Sequence, residues 1–594
     1  MTASAIDTLH AAAKALDTGT PDSDELQRIG RRLGKALRSG ETATPVRRVV
    51  IVSSFLTDML ADGLAGSLLR HDLVCAMQPA PYGALPSALV AGGIDPADVT
   101  VLLPTHRDFL HAPLAGCSEE EADAAAEREA AFWCGLWDRI EGSVIQLSFD
   151  PPAHRALDEG DGYLPGGLLR HARAVNRLMA LARPSRVALV DAEALAARVG
   201  RDWHDPRSYA LCKQPFANSA LGEVAETLAA AIAGQAGKSR KVLVLDLDNT
   251  LWGGVIGDVG PEGIVLGSET AEGEAFTSFQ RYIKRLADRG VILAVCSKNK
   301  VEIAQEVFRQ HSGMVLRETD IACFVANFED KAGNIKAIAQ ALNVGIDSLV
   351  FADDNPVERA WVREQLPEVL VIDMPEEPAR YAQAIEAAKA FPMQRLTAED
   401  SARNASYRAR AETVARAATS ADLDGFLRSL DPVATVEPFS AATRDRITQL
   451  IAKTNQFKMN PHTYTVEELS ARPDQVIALS FADRNQDYGI VAVAVWALEG
   501  DLLRVENWVM SCRTFSRRLE NAMLHLLAQA ARSAGATAIE IPFTPSAKNG
   551  VAADFLAALG MERHGGADGL FTIGIDQVGD AGEHMQIRIR EMVQ

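Results

Sequence analysis

The chain is predicted to be a multidomain α/β protein, with two parallel sheets wrapped by helices and a third, α+β part at its end. Three observations carry this. At 594 residues the chain exceeds what one hydrophobic core serves, so several domains are expected. Over the first two thirds, short apolar strands alternate with helical stretches, the pattern of a parallel sheet with crossover helices. In the last third, two adjacent strands come before further strands and single helices, which reads as α+β.

Each element has its own warrant. In residues 1–40, Ile6, Leu9, Ala13 and Leu16 share one helical face, and Leu26, Ile29, Leu33 and Leu37 share another. Val49 to Val52 is a strand ending on Ser53-Ser54, and Leu73 to Met77, Val99 to Leu103, Val144 to Leu147 and Val187 to Val190 follow it. Gly234 to Arg240 reads as a linker. Three apolar strands then end on polar residues: Val242 to Leu245, Val291 to Val295 and Leu349 to Ala352. Pro375, Pro378 and Pro392 punctuate the close of that region. Beyond it, Val476 to Phe481 and Gly489 to Ala497 form an expected antiparallel pair. A strand at Leu502 to Met510, a helix at Ser516 to Arg532, a strand at Thr537 to Ile541 and a helix near Ala553 complete the chain. The expected divisions are a helical segment at 1–40 and domains at 41–235, 238–394 and 395–594.

Composition excludes several classes. A net charge of -19 argues against nucleic acid, whose binding needs clustered cations. No apolar run approaches a bilayer span, and Met1 to Leu16 lacks the basic and apolar regions of a secretory signal. Seven cysteines without a Cys-x-x-Cys pair are expected to be reduced thiols of a cytoplasmic protein.

The chemistry concentrates at the ends of the middle strands, the edge where open α/β sheets bind ligands. Asp246, in Asp246-Leu247-Asp248-Asn249-Thr250, is the expected nucleophile, because a carboxylate can attack a phosphoryl centre and split one displacement into two. Asp248 is expected to protonate the leaving group and then activate an acceptor. Thr250 is expected to help hold phosphate, together with Ser297, Lys298 and Asn299 after the second strand. Lys331 supplies a fixed cation. Asp353 and Asp354 are expected to complete an oxygen-rich Mg²⁺ site with Asp246 and the backbone carbonyl of Asp248.

These four motifs resemble those of the haloacid dehalogenase (HAD) superfamily of phosphoryl-transfer enzymes. Their wording is similar to the FkbH-like glyceryltransferase branch: Asp246 to Asp258, Cys296-Ser297-Lys298-Asn299, Glu329 to Ile335 and Asp353 to Arg359. The resemblance extends to Trp203 to Arg207, Lys213 to Phe216, Lys453 to Phe457, Met510 to Arg513 and Ser546 to Asn549. It implies that 1,3-bisphosphoglycerate is the substrate. Phosphate is removed, and the glyceryl unit is loaded onto the phosphopantetheine thiol of an acyl carrier protein for polyketide-type biosynthesis. Cys296 matches the position of an acyl-carrying cysteine, and a neighbouring anion site is expected to lower its pKa. About fifty residues from Asp248 to Ser297 are taken up by a glycine-rich flap (Gly253, Gly254, Gly257, Gly260), one helix and a strand. No cap domain fits, so a Rossmann-like HAD sheet with an open cleft is expected.

The flanking parts resemble known modules too. The N-terminal part looks like a flavodoxin/SGNH-hydrolase-like domain, with Ser53 or Ser54 as its serine and His204 with Asp202 or Asp205 near the end where such enzymes keep Asp and His. The glycine and asparagine blocks of that family's oxyanion hole are missing. The C-terminal part resembles a GNAT-like fold. Arg513, Arg517 and Arg518 stand where the pyrophosphate-binding glycines would be, and with Lys548 and Asn549 they are candidate carrier-protein or pantetheine contacts. Two other readings use the same residues: a HAD phosphatase of a metabolite or protein without acyl transfer, and a non-catalytic platform that docks carrier proteins.

Overall fold

The computed structural model describes residues 5–16, 21–40, 46–81, 83, 85, 96–396, 400, 403–404, 406–409, 430–484, 486–511, 514, 517–546, 549–559, 561–564, 569–579 and 585–590. The chain forms two compact units. One comprises residues 1–239 with 387–394, the other 240–386 with 395–594. Among the described residues, no helix is long and apolar enough to cross a membrane.

The first unit is built on five parallel strands: β1 (Arg47–Ser53), β2 (Cys75–Pro79), β3 (Val99–Leu103), β4 (Ser143–Leu147) and β5 (Val187–Val190). Their order, β2-β1-β3-β4-β5, is that of flavodoxin-like doubly wound sheets. The helical segment expected to stand alone is part of this core. Ile6, Leu9, Ile29 and Leu33 pack on Ala65 and Leu69. Helix Ser23–Arg38 crosses helix Asp58–Arg70 at glycines, and a Cβ on Gly30 would lie 1.8 Å from the Asp62 carbonyl oxygen.

The second unit begins with β6 (Val242–Leu245), β7 (Ile292–Ser297), β8 (Ile321–Ala326), β9 (Leu349–Ala352) and β10 (Leu370–Val371). All are parallel, in the order β10-β9-β6-β7-β8. The strands β6, β7 and β9 are buried throughout, as central parallel strands must be when helices cover both faces. Between Asp248 and Ser297 lie a one-turn helix Ile256–Val259, a bridge from Gly253 to Val265 and helix Ala271–Asp288. Among the described residues no further domain is inserted between these two positions.

Described residues past 394 also pack on the second sheet. Tyr407 is buried in the core beneath β6, β7 and β9, and Asn404 donates to the Asp320 carbonyl. Residues 387–394 instead belong to the first unit, where Lys389 meets Glu223 at 3.0 Å.

The same unit carries a third sheet. Its strands are β11 (Val433–Glu437), β12 (Phe457–Lys458), β13 (Val476–Asp483), β14 (Gln486–Glu499), β15 (Leu502–Met510), β16 (Ala538–Phe543), β17 (Glu562–His564), β18 (Gly569–Gly574) and β19 (Gln586–Ile589). The order is β17-β18-β16-β15-β14-β13-β11-β19. The strands β15 and β16 run parallel over Leu502–Arg504 only, and β12 takes the far end of β15, at Val509 and Met510. Helix Leu519–Ala534 covers the sheet through Leu519, Met523 and Leu527.

Candidate functional site

The strand β6 lies between β9 and β7, so its carboxyl end opens at the middle of the second sheet. Asp246 is the first residue past that end, and its N–H bonds the Ala352 carbonyl at 3.0 Å. The chain then turns tightly, with Asn249 at φ +52 and the N–H groups of Thr250 and Leu251 both bonded to the Leu247 carbonyl. This turn sends the Asp246 and Asp248 side chains to separate tasks.

Asp246 is buried and faces Lys331, whose Nζ lies 3.1 Å from Asp246 Oδ1 and 2.5 Å from Asp353 Oδ2. Lys331 is the first residue of helix Lys331–Leu342, which Asp330 caps by accepting from the N–H groups of Ala332 and Gly333. Burial works against the ammonium charge, but the two carboxylates outweigh it and hold the lysine pKa up. Burial pushes the Asp246 carboxyl up, against the pull of Lys331 and the Ser297 hydroxyl. Asp353 is raised to about 6, first by burial and then by the neighbouring Asp246 charge. Asp354 is raised for the same two reasons.

Asp246, Asp353 and Asp354 each offer one oxygen within 4.8 Å of the others. Three carboxylates and one ammonium leave two negative charges in a shielded place. Oxygen donors around such a deficit suit a hard divalent cation, and these residues fit Mg²⁺. The Asp248 side chain is not in this cluster. Trp252 Nε1 (3.0 Å) and the Ile256 N–H (3.1 Å) donate to its Oδ1, and Asn299 Nδ2 (3.0 Å) donates to its Oδ2.

Several expected roles change. The Thr250 hydroxyl accepts from the Asp354 N–H at 3.1 Å and donates to Asp354 Oδ1 at 3.3 Å, so it braces the loop that carries Asp354. Lys298 pairs with Glu358 at 2.5 Å. Ser297 does sit at the site, and Asn299 Nδ2 donates to its Oγ at 3.1 Å. Cys296 is the clearest correction. Successive side chains of a strand point to opposite faces. Ser297 reaches the acids, while Cys296 enters the core with Ala332, Ile335 and Ile338. Its Sγ donates to the Lys331 carbonyl at 3.8 Å, and burial pushes the thiol up to about 12 rather than down.

In the third sheet, Arg517 is buried against Asp483 at 3.1 Å, so the expectation of a phosphate grip there is overturned by an internal ion pair. Asn549 is likewise committed: Nδ2 donates to the Lys458 and Thr544 carbonyls at 3.0 Å, and Oδ1 accepts from the Ser546 N–H. Arg518 is half-buried before helix Leu519–Ala534, at φ +59. Arg513 and Lys548 lie outside the described residues.

No serine triad forms in the first unit from the expected members. Ser53 Oγ donates to the Phe55 carbonyl, and Ser54 Oγ to Asp108 Oδ2 at 2.8 Å. Asp202 accepts from Ser219, and Asp205 caps helix Pro206–Cys212. His204 faces Asp150 instead, a residue the sequence reading passed over. Its signal was the one used for Asp246: it lies just past an apolar strand, β4.

No protein-family profile matches the chain, and no curated protein matches it significantly. Among solved structures, about a quarter of the chain is matched to each of two acetyltransferases at a TM-score of 0.20. These are the ribosomal-protein-S18-alanine N-acetyltransferase of Escherichia coli (12% identity, 25% of this chain, 97% of that one) and a GNAT-family acetyltransferase of Streptococcus pneumoniae (13% identity, 24% of this chain, 98% of that one). Likeness that slight carries no argument. A larger match does. The chain is similar, with a TM-score of 0.56 and 29% identity, to the N-terminal part of the protein BF1531 from Bacteroides fragilis, which contains a phosphatase domain and is complexed with Mg; the match covers 66% of this chain and 99% of that one.

Proposed function

We propose that the second unit houses a Mg²⁺-dependent phosphoryl-transfer site of the HAD kind, with phosphatase chemistry. The observation that carries this is the buried triangle of Asp246, Lys331 and Asp353 at the carboxyl end of the sheet. Similarity to a Mg-complexed phosphatase domain supports it. Asp246 attacks phosphorus and the bond to the leaving oxygen breaks, with Asp248 supplying the proton. Water then opens the aspartyl phosphate, and Asp248 takes up the water's proton. Lys331 and Ser297 hold phosphoryl oxygens. Asp246, Asp353 and Asp354 would hold Mg²⁺, which when bound offsets the charge of the acids and the phosphate.

The fuller reading keeps the substrate implied by the sequence resemblance. It is 1,3-bisphosphoglycerate, whose glyceryl unit is loaded onto the thiol of an acyl carrier protein. The cleft without a cap and the exposed Phe328, Val357 and Trp361 beside the motifs support a large partner. Intact-protein mass spectrometry tests it: a holo carrier protein should gain one glyceryl mass with wild-type enzyme and none with Asp246→Asn. If no active carrier protein is loaded while phosphate is still released, the fuller reading fails and the phosphatase stands.

The burial of Cys296 favours that plain phosphatase reading. Its thiol, held near 12, is a poor nucleophile until the core opens. Cys296→Ala discriminates. Unchanged phosphate release with no acyl-enzyme in either form supports simple hydrolysis, whereas loss of loading alone returns the cysteine to the mechanism.

A further inference from the structure

A second cluster of polar side chains lies at the carboxyl edge of the first sheet, in a unit separate from the acids above. His106 is on the turn after β3, Asp150 follows β4, and His204 follows the turn Gly200–Trp203. Asp150 is 1% exposed and is held from three sides. The His106 N–H (2.6 Å) and Nδ1 (2.9 Å) meet its Oδ1, and Trp203 Nε1 donates to its Oδ2 at 3.1 Å.

His204 gives the cluster its meaning. Its Nε2 donates to the Pro151 carbonyl at 2.8 Å, which fixes the proton on that nitrogen in the neutral ring. Its Nδ1 is buried without a hydrogen bond and faces Asp150 Oδ2 at 4.0 Å. In that tautomer two lone pairs face each other across the gap, a place for a cation or for a water that donates to both.

A metal suits this place. Zinc bonds to imidazole nitrogen and carboxylate oxygen of about 2.0–2.2 Å at tetrahedral angles set two donors roughly 3.3–3.6 Å apart, so the 4.0 Å gap would close by about half an ångström around the ion. One donor atom from each of His106, Asp150 and His204 lies within 4.8 Å of the others. The outer partners are those that orient metal ligands: a carbonyl on the far nitrogen of one histidine and an indole N–H on the carboxylate. We propose that His106, Asp150 and His204 form a three-ligand site for a divalent transition cation of the zinc class. Ligation through His106 Nδ1 moves that proton to Nε2, whose bond from the Ala153 N–H is long at 3.5 Å. The histidine side chains are 10% and 21% exposed, so a fourth position is reachable from solvent, as in catalytic rather than closed zinc sites. A water donating to both acceptors is the competing occupant.

The test uses the full chain, stripped with chelator and titrated with Zn²⁺ under excess Mg²⁺. The expected result is one zinc per chain, a Co²⁺ form with tetrahedral visible bands, and a thermal midpoint that rises with Zn²⁺. Separate His106→Gln and His204→Gln variants should bind zinc more weakly by more than the roughly 10–100-fold that loss of an outer partner costs while keeping Mg²⁺-dependent phosphate release, and Asp246→Asn should keep its zinc. No zinc above background in wild type, or equal zinc in both histidine variants, overturns the site. So does loss of zinc in Asp246→Asn alone. Should a variant fail to fold, the wild-type stoichiometry and midpoint shift decide the matter.

Discussion

Asp246 and Lys331 depend on each other, and their variants should fail differently. Asp246→Asn removes the proposed nucleophile, so phosphate release is expected to fall by on the order of 10⁴-fold or more while the protein stays folded, measured with a generic phosphate ester. Lys331→Met strips the counter-charge from two buried acids. Breaking a buried pair of this kind costs about 3–5 kcal/mol. Denaturant unfolding in chelator should show that loss, and Mg²⁺ should restore part of it; a variant as stable as wild type in chelator would contradict the triangle. The residue types here were legible because each stands at the end of an apolar strand. Which way each side chain points was not. Cys296 and Ser297 are adjacent in sequence, yet one lines the core and the other the site, because the pleat alternates them. Thr250 is spent on Asp354, a partner 104 residues away, which no local pattern announces.

At the scale of elements, close approaches set the tolerances. Gly290 joins helix Ala271–Asp288 to β7 at φ +95, and a Cβ there would lie 2.3 Å from the Asp400 carbonyl oxygen. Gly290→Ala should therefore destabilise the second unit by about 1–3 kcal/mol, read from its unfolding midpoint. In the first unit, His171 on helix Leu168–Ala182 is buried against Phe109, with neither ring nitrogen hydrogen-bonded among the described residues. Burial lowers its pKa from 6.5 to about 4. The unfolded ring takes a proton at higher pH than the folded one, so the native state is favoured above pH 6.5. That advantage is lost as the pH falls toward 4, by on the order of 3 kcal/mol. His171→Phe should flatten the pH dependence of stability across this window; an unchanged slope would rule out the histidine as its source. The strands of the two parallel sheets that carry apolar runs were legible by that sign alone. The strand β8, Ile321–Ala326, was passed over although its apolar run is longer than those of β6 and β9; its parallel pairing with β7 identifies it.

For the whole molecule, the division of labour differs from the one composition suggested. The second unit's parallel sheet draws on residues past 394, and Tyr407 fills its core. Tyr407→Ala should cost about 3–5 kcal/mol and reduce phosphate release through loss of folded protein rather than through KM, which an activity assay corrected for folded fraction can separate. The helices at 5–38 likewise complete the first unit instead of preceding it. The sequence by itself determined the class of fold, the three sheets' main strands and the acids and lysine of the proposed phosphoryl site, because those signals are local: an apolar run, its length, and the residue where it stops. Only the tertiary structure decided the rest. It buried Cys296, turned Arg517 and Asn549 inward, and brought His106, Asp150 and His204 together across 98 residues of chain at one sheet edge. Those outcomes depend on which surfaces cover one another, and burial, pairing and pKa follow from that covering rather than from any neighbour in sequence.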